Sequence, residues 1–295
     1  MKYITFTIPC YNSENYMRRC VDSLLVGGED VEILIIDDGS SDRTGAIADE
    51  YEMLYPNIVK AVHKPNGGHG SGVNKGLELA HGLYYKVVDS DDWFDRDAYL
   101  KMLDKIKSFE VAQFPDLIIC NYVYDHLDEG IQKPMNYRNV FPTEKMCNWN
   151  TIGHFHPSQY LIMHALMFQT KVLRQSGVKL PEHTFYVDNL FAYKPLPFMK
   201  TLYYLDVDLY HYFIGRADQS VNVKNMVNRY TQQQRVMLCM TDAYTWDKIK
   251  AMPKGLRRYM WHNLEVIMVN TVFFTCAAYS KERVQDIKEM WHHIK

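Results

Sequence analysis

The chain has 295 residues, 47% hydrophobic and 14% aromatic, enough for a large core, and its net charge of −2 excludes the strong basic excess of a nucleic-acid binder. Its six cysteines (Cys10, Cys20, Cys120, Cys147, Cys239 and Cys276) are scattered with no CxxC pair, and read as free thiols rather than a disulfide frame or zinc site. No signal peptide is read, and the most apolar late stretch, 266–279, falls short of the ~20 residues of a spanning helix, so a cytoplasmic protein, at most peripheral at the inner face of a membrane, is expected.

Residues 3–8 are β-branched and apolar and predict a buried strand, and 14–25 place Tyr16, Met17, Cys20, Leu24 and Leu25 on one helical face. A strand at 31–36, a helix at 43–54, a strand at 58–62 and a helix at 71–80 follow. Strand 84–88 and helix 98–109 continue the series, and strand 117–122 closes it. This alternation predicts an α/β fold: a Rossmann-like, mostly parallel sheet covered by helices on both faces. Regularity weakens after Asp125. A hairpin or excursion is expected over 128–150, a strand at 165–169, a short helix at 171–176 and a helix opening at 188 that Pro195 and Pro197 disturb. Two further strands are read at 202–204 and 210–213. From 226 onward the pattern is helical, with three helices broken near 253–255 and 280. A catalytic domain over 1–215 and a helical extension over 216–295 are therefore expected. In that extension Met260, Trp261, Leu264, Ile267, Met268 and Phe273 read as a core-facing stripe. Lys254, Arg257 and Arg258 beside them leave a peripheral membrane contact open, with homodimerisation and acceptor binding as other uses.

In parallel α/β sheets ligands bind beyond the carboxyl ends of the strands. Here every early strand end is polar: Pro9-Cys10-Tyr11-Asn12, Asp37-Asp38-Gly39-Ser40-Ser41-Asp42, Asn66-Gly67-Gly68-His69-Gly70 and Asp89-Ser90-Asp91-Asp92. Asp89 and Asp91 offer hard oxygen ligands to Mn²⁺ or Mg²⁺; the plainer reading is a solvated acidic turn capping the next helix. Asp38 can accept from a base N–H while Tyr11 packs on a flat ring, although Asp-Gly is also ordinary turn chemistry. The glycine loop is not a P-loop, since no Gly-Lys-Ser/Thr follows. Its glycines suit a backbone passing close to a ligand, and Gly76 suits close helix packing. His154 and His156 have chelating spacing in an extended segment but no clear third ligand, and read as polar loop residues.

The series Pro9-x-Tyr11-Asn12, Asp37-Asp38-Gly39-Ser40-x-Asp42, Asn66-x-Gly68-x5-Asn74-x-Gly76 and Asp89-Ser90-Asp91-Asp92 resembles the bacterial family 2 glycosyltransferases of the GT-A fold, over roughly the first 100 residues. The resemblance implies a nucleotide site drawn from Pro9, Tyr11, Asn12, Asp38, Asn66, Gly68, Asp89 and Ser90. Pro9, Tyr11 and Asp38 would surround the base, usually uracil; Asp89 would lie near the ribose, and Asp91 would bind the metal on the diphosphate. It also implies a base in a Glu-Asp pair followed by an apolar helix ending in Phe. The matching segment is Val187-Asp188-Asn189-Leu190-Phe191, so Asp188 would be the catalytic base and Val187 replaces the Glu. Val73 likewise stands where the family often has Arg. After the base, the aromatic strand and polar loop around His211, Arg216, Gln219 and Ser220 would close over the diphosphate, with His211 or Arg216 donating to it.

The expectation is an inverting transfer of a sugar from a nucleotide-sugar donor, a UDP-sugar, to a glycan or lipid-linked acceptor in cell-surface polysaccharide synthesis. No nucleic acid is expected as partner. Two alternatives remain at this stage. A sugar-phosphate nucleotidyltransferase would show a glycine-rich basic loop after the first strand, where this chain has Pro9-Cys10-Tyr11-Asn12. A non-catalytic nucleotide-sugar binder is left open by Val73 and Val187.

Overall fold

The computed structural model describes residues 1–295 except 128, 216–218, 220, 221, 279 and 295. The first strands are β1 (Ile4–Cys10), β2 (Val31–Asp37), β3 (Val59–His63) and β4 (Tyr84–Val87), separated by helices α1 (Met17–Leu25), α2 (Thr44–Leu54) and α3 (His69–Leu79). The short β5 (Trp93–Phe94) and α4 (Arg96–Ser108) follow, then β6 (Leu117–His126), β7 (Ile131–Met135), β8 (Met146–Cys147) and β9 (Leu166–Gln169). Helices α5 (Thr170–Gln175) and α6 (Asp188–Tyr193) precede β10 (Leu202–Phe213). The chain continues as α7 (Val223–Asn228), α8 (Tyr230–Thr241), α9 (Trp246–Ala251), α10 (Lys254–Cys276) and α11 (Lys281–Ile294).

The strands form one sheet in the order β3-β2-β1-β4-β9-β6-β10-β5, with β7 beside β6 and β8 beside β10. Strands β3, β2, β1 and β4 are parallel, as the alternation predicts, and β6 and β10 are parallel to each other. Strand β9 lies antiparallel between β4 and β6, so the series does not simply close at β6. Every residue of β1 is buried, with Phe6 edge-on to Phe94 and Tyr99 at 5.4 and 5.6 Å. Helix α1 covers it with Met17, Cys20, Val21 and Leu24. Helix α4 is capped by Asp95, whose carboxylate accepts from the Ala98 N–H at 2.8 Å.

Several expectations are corrected by tertiary pairing. The two late strands are one, β10, because register shifts between Leu205, Asp208 and Tyr210 let it follow β6 past an irregularity. Among the described residues the helical tail holds five helices rather than three, with extra breaks at 229 and 242–245. Of its apolar stripe, Met260 and Ile267 are buried, but Trp261 and Phe273 face outward. All six cysteines are free. Among the described residues, no helix is long and apolar enough to cross a membrane.

Candidate active site

Because β1, β2 and β4 are parallel and in register (Cys10 opposite Asp37, Thr7 opposite Val87), their polar ends emerge at one edge of the sheet. There they surround a cavity of about 490 Å³. Of the residues expected at the nucleotide, Pro9, Tyr11, Asn12, Asp38, Asn66, Gly68, Asp89 and Ser90 all line it, as does Asp91. Tyr11 is 55% exposed, leaving a ring face free for stacking.

The loops are held by one another. Asn12, at φ 50°, accepts from the Ser41 N–H at 2.9 Å and donates its own N–H to Ser40 Oγ at 3.0 Å. The Ser13 and Ser90 hydroxyls bond at 2.8 Å. The Asp38 carboxylate is buried and turned inward: it accepts from Gly68 N–H at 2.7 Å, Gly67 N–H at 3.0 Å and the Lys64 ammonium at 2.5 Å. Its role here is to fix the glycine loop, while the Asn66 amide donates to its backbone carbonyl at 2.9 Å. Gly68 sits at φ +81°, and a Cβ there would lie 3.1 Å from the His183 nitrogen. Gly76 permits the expected close packing, since a Cβ on it would overlap Thr7 of β1. Asn74 bridges to Leu180, donating to its carbonyl at 2.8 Å and accepting from its N–H at 2.9 Å.

The acidic turn after β4 divides into three roles. Asp92 is fully buried and accepts from Tyr210 O–H at 2.5 Å and Phe213 N–H at 2.9 Å. Burial, then the charges of Asp91 and Asp89, push its carboxyl well above the usual range. Asp89 meets His69 Nε2 at 2.9 Å. Burial works against its ionisation, yet the charge and hydrogen bond of His69 hold it below the usual range, and His69 is correspondingly raised. Asp89 and Asp91 both line the cavity, and their side-chain oxygens are the hard ligands that fit Mg²⁺ or Mn²⁺. Asp89, Asp92 and His164 also bring ligand atoms within 4.8 Å of one another. Both Asp92 oxygens already accept hydrogen bonds, from Tyr210 and Phe213, whereas Asp89 and Asp91 line the cavity.

The sequence reading missed the opposite wall. Residues 180–187 form a strap across the glycine loop, with the His183 N–H donating to the Gly67 carbonyl at 2.7 Å. His183 and Tyr186 adopt φ of 46° and 64°, costly for residues with side chains. Helix α8 holds them there. Phe185 N–H donates to Gln232 Oε1 at 2.7 Å, Arg235 donates to Thr184 Oγ1 at 2.9 Å, and the Arg229 guanidinium lies 3.8 Å over the Phe185 ring. His183, Thr184 and Phe185 line the cavity, with His69, Tyr212 and Gln219. No motif marks the strap; its pull on the cavity arises only when α8 packs beside α6.

The strap ends at Asp188, the first residue of α6, whose N-cap position is Val187 and carries no side-chain cap bond. Burial, moderated by the charge of His69 and reinforced by that of Asp89, pushes its carboxyl up to about 6. Burial raises Tyr160, Tyr186 and Tyr212 above the usual phenol range, and the charge of Asp188 adds to the shift of each. Val187, in place of the family's Glu, is buried beneath Gly70, and Val73 is buried in the core. Neither residue is among those that line the cavity.

His211 is turned away from the cavity. Its Nδ1 bonds Asp125 at 2.9 Å and its ring stacks on Trp93 at 5.2 Å, which corrects its assignment to the diphosphate loop. Alternation along β10 explains this: Tyr212 is the neighbour that faces the cavity. Arg216 and Ser220 lie outside the described residues. Gln219 folds back, donating to the Phe213 carbonyl at 2.5 Å, and lines the cavity.

Known proteins agree with this architecture. The model of the family described as "Glycosyl transferase family 2" matches residues 5–167. EpsH of Bacillus subtilis (strain 168) is 27% identical over 247 residues, covering 78% of this chain and 64% of its own length. The poly(ribitol-phosphate) beta-glucosyltransferase of Bacillus spizizenii is 26% identical over 264 residues, covering 87% of this chain and 40% of that protein. The chain thus spans less than two thirds of the length of these curated relatives. The crystal structure of S. aureus TarS (1–349) in complex with UDP-GlcNAc superposes with a TM-score of 0.71 at 18% identity, over all of this chain and 82% of that one. With more than half of its length matched by the family model and the same fold, the chain belongs to glycosyl transferase family 2.

Proposed function

We propose that the chain transfers a sugar, with inversion, from a UDP-sugar to an acceptor hydroxyl of a cell-surface polysaccharide or teichoic-acid-type glycan. The observation that carries this is the convergence of the polar strand ends on one cavity, which Tyr11, Asp89 and Asp91 line opposite His183, Thr184 and Phe185, the strap that runs into Asp188 at the start of α6. In this reading Tyr11 stacks on the base, and Asp89 and Asp91 hold a divalent cation. That cation, Mn²⁺ or Mg²⁺, supplies positive charge to the departing diphosphate. The acceptor enters beside Tyr160, Tyr186 and Tyr212. Asp188 takes the hydroxyl proton as the oxygen attacks the anomeric carbon from the face opposite the breaking bond to the diphosphate. An α-linked donor then gives a β-linked product.

The poly(ribitol-phosphate) glucosyltransferase relative and the UDP-GlcNAc complex of TarS support the substrate class. The test is thermal stability with UDP and UDP-sugars, with and without Mn²⁺. A metal-dependent rise that disappears in Asp91→Ala supports the donor site. A folded sample that responds to no nucleotide refutes it.

A further inference from the structure

We propose that the face formed by α9 and the solvent side of α10 docks on an anionic membrane surface. Trp246 and Trp261 are 56% and 54% exposed and stand in contact with each other, their rings 6.2 Å apart. Between 246 and 258 the chain places Lys248, Lys250, Lys254, Arg257 and Arg258 against the single acid Asp247, a local charge of +4 on a chain of net −2. From Trp261 the outward face of α10 continues through Val269 and Phe273, 64% and 61% exposed, with Glu265 held by the Trp261 indole N–H at 2.6 Å.

The patch is preformed. Arg258 donates to the Gly153 carbonyl at 2.5 Å and Arg257 to the Lys250 carbonyl at 3.1 Å. Beneath them Tyr259 stacks on Trp149 at 6.0 Å. Exposed indoles beside lysines, leading into an apolar helix face, match the layering of a bilayer interface: anionic headgroups over the acyl boundary. A second copy of this chain is a poorer occupant, because an isologous contact would set one basic patch against another.

The consequence for the site rests on the proposed function. Helix α10 packs on α8, and α8 on α6, which begins at Asp188. Docking would hold the acceptor side of the cavity at a fixed height above the bilayer, where a lipid-borne glycan is presented. The docking itself does not depend on Asp188 being the base.

The test is flotation of the full chain with vesicles of phosphatidylcholine alone and with one third phosphatidylglycerol. Binding to the anionic vesicles only, released by high salt, is expected. Lys248→Gln/Lys250→Gln/Lys254→Gln should weaken it about a hundredfold, and Trp246→Ala/Trp261→Ala should weaken it at both salt levels. Both variants should keep the UDP response, which separates failure of docking from failure of the donor site. Absence of flotation by a folded sample, or variants that bind as the parent does, overturns the proposal. So does equal affinity for polyglutamate, which would make the surface a site for acidic protein. A concentration-dependent dimer abolished by the tryptophan variants would assign the face to a second copy and overturn it equally.

Discussion

Asp188→Asn preserves the shape of the side chain and removes its charge. Loss of a general base costs about 10²–10⁴ in rate, or roughly 3–5 kcal/mol on the barrier. The same change has an opposite effect on stability. The Asp188 carboxyl titrates at about 6 in the fold against an ordinary 3.8, because burial disfavours the charged form. A raised carboxyl binds its proton more tightly folded than unfolded. The native state is therefore penalised above the folded value, and the penalty fades as pH falls from about 6 toward 3.8. The full gap is worth up to about 3 kcal/mol, and about 1–2 kcal/mol after allowance for partial solvent contact. Asp188→Asn should thus be more stable than the parent above neutrality and equal to it below pH ~4. Parent activity should fall as pH drops through about 6. The assays are UDP release with donor, denaturant unfolding across pH, and UDP binding, which should be unchanged. A variant that keeps activity within severalfold, or one that loses nucleotide binding along with turnover, would refute the assignment.

Asp91→Ala should abolish the metal-dependent part of UDP stabilisation, about 2.7 kcal/mol at a hundredfold excess over Kd, read as a melting shift with and without Mn²⁺. Gly68→Ala forces a side chain into φ +81° beside His183; a loss of about 1–2 kcal/mol in stability and a raised donor KM are expected. Gln232→Ala removes the acceptor of the Phe185 N–H. It should cost about 1 kcal/mol and lower kcat more than it raises donor KM, whereas an equal loss in Gln232→Glu, which retains an acceptor oxygen, would argue against a positioning role. Lys86 is fully buried, donates to the carbonyls of His164 and Leu166, and is lowered by burial to about 8. Its charged form costs stability below that value, so this contribution becomes more favourable as pH rises from about 8 toward 10.5, a rise that Lys86→Met should flatten in unfolding measurements.

The first hundred residues were legible because their chemistry is local. Strand periodicity fixes which ends share an edge, and parallel pairing then brings Tyr11, Asp38, Gly68, Asp89 and Asp91 together without further information. Which carboxylate faces the cavity was not legible. Asp38 lines the cavity but its carboxylate is held by two glycine amides, Asp92 is taken up by Tyr210 and Phe213, and Asp89 and Asp91 line the cavity with it. These outcomes depend on donors far away in sequence. The same holds for His211, whose direction is set by pairing of β10 with β6 and by Asp125. The strap at 180–187 was the least visible. Its residues at positive φ lie either side of Thr184 and Phe185, which Arg235 and Gln232 of α8 bond, and no periodicity in either segment announces the other. Sequence alone determined the family, the parallel core and the acidic ends of its strands, all consequences of short-range pattern. Tertiary structure decided which of those groups line the cavity, how Asp188 acquires its proton affinity, and which face of α10 is left to solvent, because each depends on long-range burial and charge.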